Sequence, residues 1–205
     1  MANDIVIRGE LRKGRKVLVM VHGRGATAAD ILSLAVYLPV KEFTLVAPQA
    51  PDQTWYPFSF LAAVPQNEPY LSTALKTLDD VVEKVAAAGI VATDVYFLGF
   101  SQGACLTLEY CTRNARKWGG VIAFTGGLIG DVLDGERYSG DFEGTPVYIG
   151  TSDPDPHVPV ERVYESEAVL RRLGAKVTVE VIKGMGHTIV QKELDQAIMI
   201  LSGTR

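Results

Sequence analysis

Apolar residues come in short, evenly spaced runs along this chain, and the runs alternate between two periods. Ile5-Val6-Ile7-Arg8 and Lys16-Val17-Leu18-Val19-Met20-Val21 are strand-like and are joined by a polar turn around Gly14. The second is apolar almost throughout, as a strand buried on both faces should be. Further strand runs are Phe43 to Ala47, stopped by Pro48, then the short apolar run after Asp94 that ends in Gly99-Phe100-Ser101-Gln102-Gly103, Gly119 to Phe124, Pro146 to Gly150 and Ala175 to Ile182. Between them lie stretches of helical spacing: Ala28 to Leu38, closed by Pro39; Tyr70 to Ala88, ending at Gly89; Ala104 to Tyr110; Val160 to Leu173, stopped by Gly174; and Thr188 to Leu201. Strand and helix alternate to the end with no repeat and no break in composition. That order predicts one α/β domain over residues 1–205, with a mostly parallel central sheet and helices on both faces.

Two stretches break the rhythm. Residues 48–66 contain Pro48, Pro51, Pro57 and Pro65, which exclude a regular element, yet carry Trp55, Tyr56, Phe58, Phe60 and Leu61. An aromatic loop of this kind either plugs a gap or lines a pocket; the pocket is the expectation here. Residues 126–144 form a second, Gly-rich irregular loop with Leu128, Ile129 and Tyr138.

Composition adds limits. The chain has 205 residues, 47% of them hydrophobic and 21% charged, which suits a globular protein with a sizeable core. A net charge of −4 gives no support to a nucleic-acid partner. Cys105 and Cys111 stand six apart in a helical stretch, so they face different ways and read as neither a disulfide nor a metal site. Met1-Ala2-Asn3-Asp4 has neither a basic nor an apolar leader segment, and no apolar run reaches membrane-spanning length. A soluble, cytoplasmic protein without stable membrane insertion is expected.

The chemistry concentrates at Gly99-Phe100-Ser101-Gln102-Gly103, a G-x-S-x-G pattern between a strand and a helix. Such a turn holds its serine in a strained conformation above the sheet edge, with the helix N-terminus facing developing negative charge. The plainer reading, a serine capping a helix, competes with it. Three other special stretches also follow strands: His22-Gly23-Arg24-Gly25, Asp153 to Pro159, and Gly184-Met185-Gly186-His187. In a parallel sheet all four project to one edge. Ser, Asp and His appear in the chain order of α/β-hydrolase triads. Ser101 is the candidate nucleophile and His187 the candidate base. Asp153 and Asp155 both fit the acid. The backbone N–H groups of Arg24 and Gln102 are the candidate oxyanion hole. His157 reads as structural or pocket-lining. Gly23-Arg24-Gly25-Ala26-Thr27-Ala28 also matches a dinucleotide fingerprint, but the next strand ends at Val46-Ala47-Pro48 without the acid that would bind a ribose.

Together these residues resemble the phospholipase/carboxylesterase family of small α/β-hydrolases, which includes the acyl-protein thioesterases. The resemblance runs from about Val17 to the last helix. It rests on HGRG at 22–25, APQAP at 47–51, WYP at 55–57, GFSQG at 99–103, DPHVP at 155–159 and GMGH at 184–187. The family's acid usually opens a D-P-x-V-P segment, which points to Asp155. It also usually stands three residues after the strand-ending glycine, which points to Asp153. We take Asp155. Arg24 stands where the family often has an apolar residue, and would put a positive charge at the pocket mouth.

The resemblance implies an α/β-hydrolase fold without a large cap domain. It implies a serine carboxylesterase acting through an acyl-enzyme on Ser101, with Asp155 and His187. Substrates would be small to medium esters, with thioesters and lysophospholipids left open. No metal or organic cofactor is implied, and the partner is a small-molecule ester; a homodimer is neither implied nor excluded. His22, Trp55 and Tyr56 are expected to line the pocket, shaped by the loops at 53–61 and 126–144. A hydrolase-fold binding protein with little turnover is the alternative.

Overall fold

The structure, a computed structural model, describes residues 4–203; Met1 to Asn3, part of the stretch read above for a leader, lie outside it. Seven strands form one sheet: β1 (Ile5–Arg8), β2 (Lys16–Val21), β3 (Phe43–Pro48), β4 (Val95–Phe100), β5 (Gly120–Phe124), β6 (Pro146–Asp153) and β7 (Lys176–Lys183), in the spatial order β1-β3-β2-β4-β5-β6-β7. Only β1 runs antiparallel, against β3. Val17 to Val21 are fully buried, as the continuous apolar run requires of a strand covered on both faces.

Among the described residues six α-helices flank the sheet: α1 (Ala28–Ser33), the short α2 (Val64–Asn67), α3 (Tyr70–Ala87), α4 (Gln102–Arg113), α5 (Val160–Arg172) and, after the last strand, α6 (Gln191–Ser202). The sheet separates two cores. Ile31, Leu32, Leu194 and Ala197 of α1 and α6 pack on one face. Leu71, Leu78, Leu106, Val163 and Leu170 of α3, α4 and α5 pack on the other. No helix among the described residues is long and apolar enough to cross a membrane.

Strand order places the site. From β2 the chain moves to β3 on one side, while from β4 it moves to β5 on the other. The reversal opens a crevice beyond the carboxyl ends of β2 and β4. Val21 pairs with Gly99, so the segments after these two strands leave the sheet side by side. Asp153 pairs with Lys183, which does the same for the segments after β6 and β7.

Several boundaries differ from the sequence reading. The expected helix over 28–38 breaks after Ser33 into a 3-10 turn over Leu34–Tyr37. Strand β6 continues past Gly150 to Asp153 because β7 is long enough to pair with it. Helix α6 begins at Gln191, since residues 184–190 stay irregular around the positive-φ Gly184 and Gly186. Residues 48–66 hold a 3-10 turn at Pro51–Gln53 and the start of α2, with proline at the first turn of each, where a missing N–H costs nothing.

Candidate active site

Ser101 sits between β4 and α4 at φ 54° and ψ −121°, a conformation that an L-residue holds only under constraint. The constraint is visible on both sides. A Cβ at Gly99 would meet the Gly103 carbonyl, and a Cβ at Gly103 would meet the Val21 carbonyl. Helix α4 can therefore press against the ends of β2 and β4 only with glycine at both places. The Ser101 side chain makes no helix-cap bond. Its Oγ lies 2.8 Å from His187 Nε2 instead, so the capping alternative does not describe this serine.

His187 is carried by the loop after β7. Its Nδ1 lies 2.9 Å from Asp155 Oδ2, which sets the proton on Nδ1 and leaves Nε2 to accept from Ser101. The other oxygen of Asp155 accepts the backbone N–H groups of His157 and Val158. Burial of this carboxylate raises its pKa, but the bonds from His187 and the two N–H groups outweigh that and leave it below the ordinary value. Asp155 thus takes the His187 contact with one oxygen and ties the turn that follows it with the other. Asp153 stands at the exposed end of β6, where its carbonyl, not its carboxylate, accepts from Gly184 N–H.

The loop after β2 packs against the serine: a Cβ on Gly23 would lie 3.4 Å from Ser101 Cβ. Among the described residues, the backbone N–H groups of Arg24 and Gln102 have no hydrogen-bond partner. Two unpaired donors flanking a serine hydroxyl are what a developing oxyanion needs. Both side chains then reach the aromatic loop. Arg24 donates to the carbonyls of Tyr56, Pro57 and Phe58, and Gln102 donates to Tyr56 O and accepts from Trp55 N–H.

A cavity of about 650 Å³ opens over Ser101 and His187. Tyr56 to Leu61 make one stretch of its wall, and Asp155 to Pro159 another. Cys105 lies in the lining as well, but burial pushes its thiol up to about 12, so it stays protonated and is no rival nucleophile.

Residues 2–204 match the sequence profile of the phospholipase/carboxylesterase family. The chain belongs to this family. Relatives include acyl-protein thioesterase 1 of Saccharomyces cerevisiae, 24% identical, with 94% of each chain covered. The crystal structure of a phospholipase/carboxylesterase from Dyadobacter fermentans superposes with a TM-score of 0.95 at 52% identity, covering 97% of this chain and 96% of that one. The crystal structure of esterase PE8 superposes at 0.81 with 25% identity, over the whole of both chains. The fold is the α/β-hydrolase fold of these carboxylesterases.

Three expectations about the family pocket are corrected by the structure. His22 and Trp55 do not line the cavity over Ser101; they lie behind its wall, both buried, with ring centroids 4.9 Å apart. Trp55 Nε1 donates to the His22 carbonyl, and His22 Nε2 accepts from Ala50 N–H. Burial holds the His22 pKa below its ordinary value, so the ring stays neutral and works as a fastener. Of the three expected pocket residues, Tyr56 alone lines the cavity. Trp55 lines a smaller groove on the far side of the same loop, next to α3. The loop at 126–144 is not part of the wall. It is tied down by buried Glu109, which accepts from Ile129 N–H and Tyr138 Oη, and by Arg162, which donates to the carbonyls of Leu128, Gly130 and Asp131. The segment Asp155 to Pro159 occupies the place expected for it. Glu109 left a trace in the sequence: a carboxylate within the apolar run Leu106 to Cys111 needs a partner.

Proposed function

We propose that this carboxylic ester hydrolase is a serine esterase working through a covalent acyl-enzyme. The observation that carries this reading is the chain of short contacts from Ser101 Oγ to His187 Nε2 and from His187 Nδ1 to Asp155 Oδ2. In the proposed reaction the Ser101 oxygen attacks the ester carbonyl while His187 Nε2 takes its proton. The oxyanion receives the backbone N–H groups of Arg24 and Gln102. His187 returns the proton to the departing alcohol, leaving an acyl-Ser101. Water, deprotonated by the same ring, then releases the acid. Asp155 keeps the ring in the required tautomer and stabilises the imidazolium that forms at each step. The open cavity supports small and medium esters, with thioesters of similar size chemically accessible to the same serine. The two cysteines, both buried thiols, support a reducing, cytoplasmic setting.

The test is labelling with a fluorophosphonate, followed by peptide mapping and a panel of matched esters and thioesters. Label on Ser101, with loss of both labelling and turnover in a folded Ser101→Ala protein, is expected. Wild-type turnover in that variant would reject the nucleophile.

A further inference from the structure

The wall of the cavity carries one exposed cation in a chain whose net charge is −4. Arg24 is exposed, lines the cavity, and is the only Lys or Arg among the described residues that does so. Three of the five N–H groups of a guanidinium are here held by the carbonyls of Tyr56, Pro57 and Phe58. Those acceptors are neutral. They fix where the charge points without cancelling it. None of the ion pairs among the described residues includes Arg24. Nε–H and one Nη1–H are left over.

The other formally charged lining group is Asp155, which is unavailable to a ligand. Its side chain is 0% exposed, one oxygen takes His187, and the other takes two backbone N–H groups. The remaining lining includes Pro57, Phe58, Phe60, Leu61, Pro156 and Val158. With Ser59, Gln102 and His157 also in the lining, the cavity offers a mixed wall with apolar stretches, a nucleophile and one held, uncompensated positive charge. The backbone of the residue bearing that charge also faces the reacting carbonyl.

We infer that the cavity takes esters carrying a second, anionic group, a carboxylate a few atoms from the scissile carbonyl, which Arg24 receives. A half-ester of a dicarboxylic acid carries it on the acyl side, and an acylated hydroxy acid carries it on the alcohol side. A single cation with two separate N–H groups left suits a monoanion better than a phosphate dianion, which is usually met by several donors or cations. The inference rests on Ser101 as the nucleophile, and it concerns which ester is preferred rather than whether esters are cleaved.

The experiment compares kcat/KM by pH-stat for two matched pairs. Monomethyl succinate is set against dimethyl succinate, and O-acetylglycolate against O-acetylglycolamide. Each pair is run with wild type, Arg24→Met and Arg24→Lys, with Tm as the check on folding. Both substitutions remove the bonds to the loop and slow all four substrates, so the anionic-to-neutral ratio isolates the charge. In at least one pair, Arg24→Met lowers that ratio by about tenfold or more, while Arg24→Lys keeps most of it. The pair affected tells which half of the ester carries the anion. The wild-type ratio also falls as salt is raised. Equal ratios in wild type and Arg24→Met for both pairs overturn the inference and leave the serine mechanism standing. Failure of the mechanism itself looks different: no ester is then lost in Ser101→Ala.

Discussion

Arg24 and Gln102 meet at one atom. Both side chains donate to the carbonyl oxygen of Tyr56, at 2.9 Å and 2.8 Å. Arg24 belongs to the loop after β2 and Gln102 is the first residue of α4, and their backbone N–H groups are the proposed oxyanion donors. The shared acceptor ties the loop after β2 to the start of α4, and so sets the spacing of the donors. It also joins the donors to the wall that holds the substrate.

Gln102→Ala tests this coupling. The substitution leaves the backbone N–H in place but removes one bond to Tyr56 O and strands the buried Trp55 N–H. We expect kcat on a small ester to fall roughly tenfold to a hundredfold, with stability lower by about 1–3 kcal/mol. A kcat within twofold of wild type would show that the donors hold their spacing without the clamp.

Strain at Ser101 predicts a split between two inactive variants. Alanine keeps the Cβ at φ 54°, whereas glycine adopts that conformation freely. Both variants should lose at least a thousandfold in turnover. Ser101→Gly should melt higher than Ser101→Ala, by the equivalent of about 1 kcal/mol. Equal melting temperatures would mean that the turn stores no strain.

Asp155→Asn should cost about a thousandfold to ten-thousandfold in kcat/KM, while Asp153→Asn stays within a few-fold of wild type. In the first variant the amide oxygen can still accept from His157 and Val158 N–H. The amide nitrogen then faces His187 Nδ1, donor against donor, and favours the wrong tautomer. The measurement is kcat/KM and Tm for both variants on one ester. A dead Asp153→Asn enzyme beside an active Asp155→Asn one would reverse the assignment.

Glu193 gives a pH signature. This carboxyl is fully buried at the start of α6, where Oε2 accepts from Val190 N–H and Oε1 has no partner. Burial, aided by nearby Glu180, raises its pKa from 4.5 to about 7 despite the Val190 bond. Glu180 itself accepts from Tyr148 Oη and pairs with Lys192. Below pH 4.5 Glu193 is protonated whether the chain is folded or not, and its burial costs no ionisation. Between 4.5 and 7 the unfolded chain gives up a proton that the folded one keeps, so stability falls as pH rises. Above about 7 the full penalty applies, at most about 3 kcal/mol. Glu193→Gln should gain in Tm over wild type as pH goes from about 4.5 to about 8. A difference that does not change with pH would reject the shift.

The sheet, the helices and the edge carrying the site were legible because each rests on local pattern. Val17 to Val21 could only be a strand buried on both faces, and Gly99 and Gly103 marked a turn that tolerates no Cβ. The route of the two irregular loops was not legible. Trp55 faces away from the cavity because its indole finds the His22 carbonyl, a partner 33 positions away. The loop at 126–144 is held by Glu109 and Arg162, whose bonds run across the fold. Without the D-P-x-V-P pattern that favours Asp155, the residues alone leave two acids, for a related reason. Asp153 and Asp155 have the same chemistry, and what separates them is that pairing with Lys183 keeps Asp153 inside a strand.

The stretch from Ala50 to Ser59 is bonded to His22, Arg24, Gly25, Gln102 and Asn67. Fastened at that many points, it has little freedom to swing as a flap. That wall of the cavity should therefore keep its shape when a substrate enters. Such an enzyme needs no oil–water boundary to open it. Its rate should follow the concentration of dissolved substrate smoothly, with no sudden rise where ester molecules begin to gather into micelles.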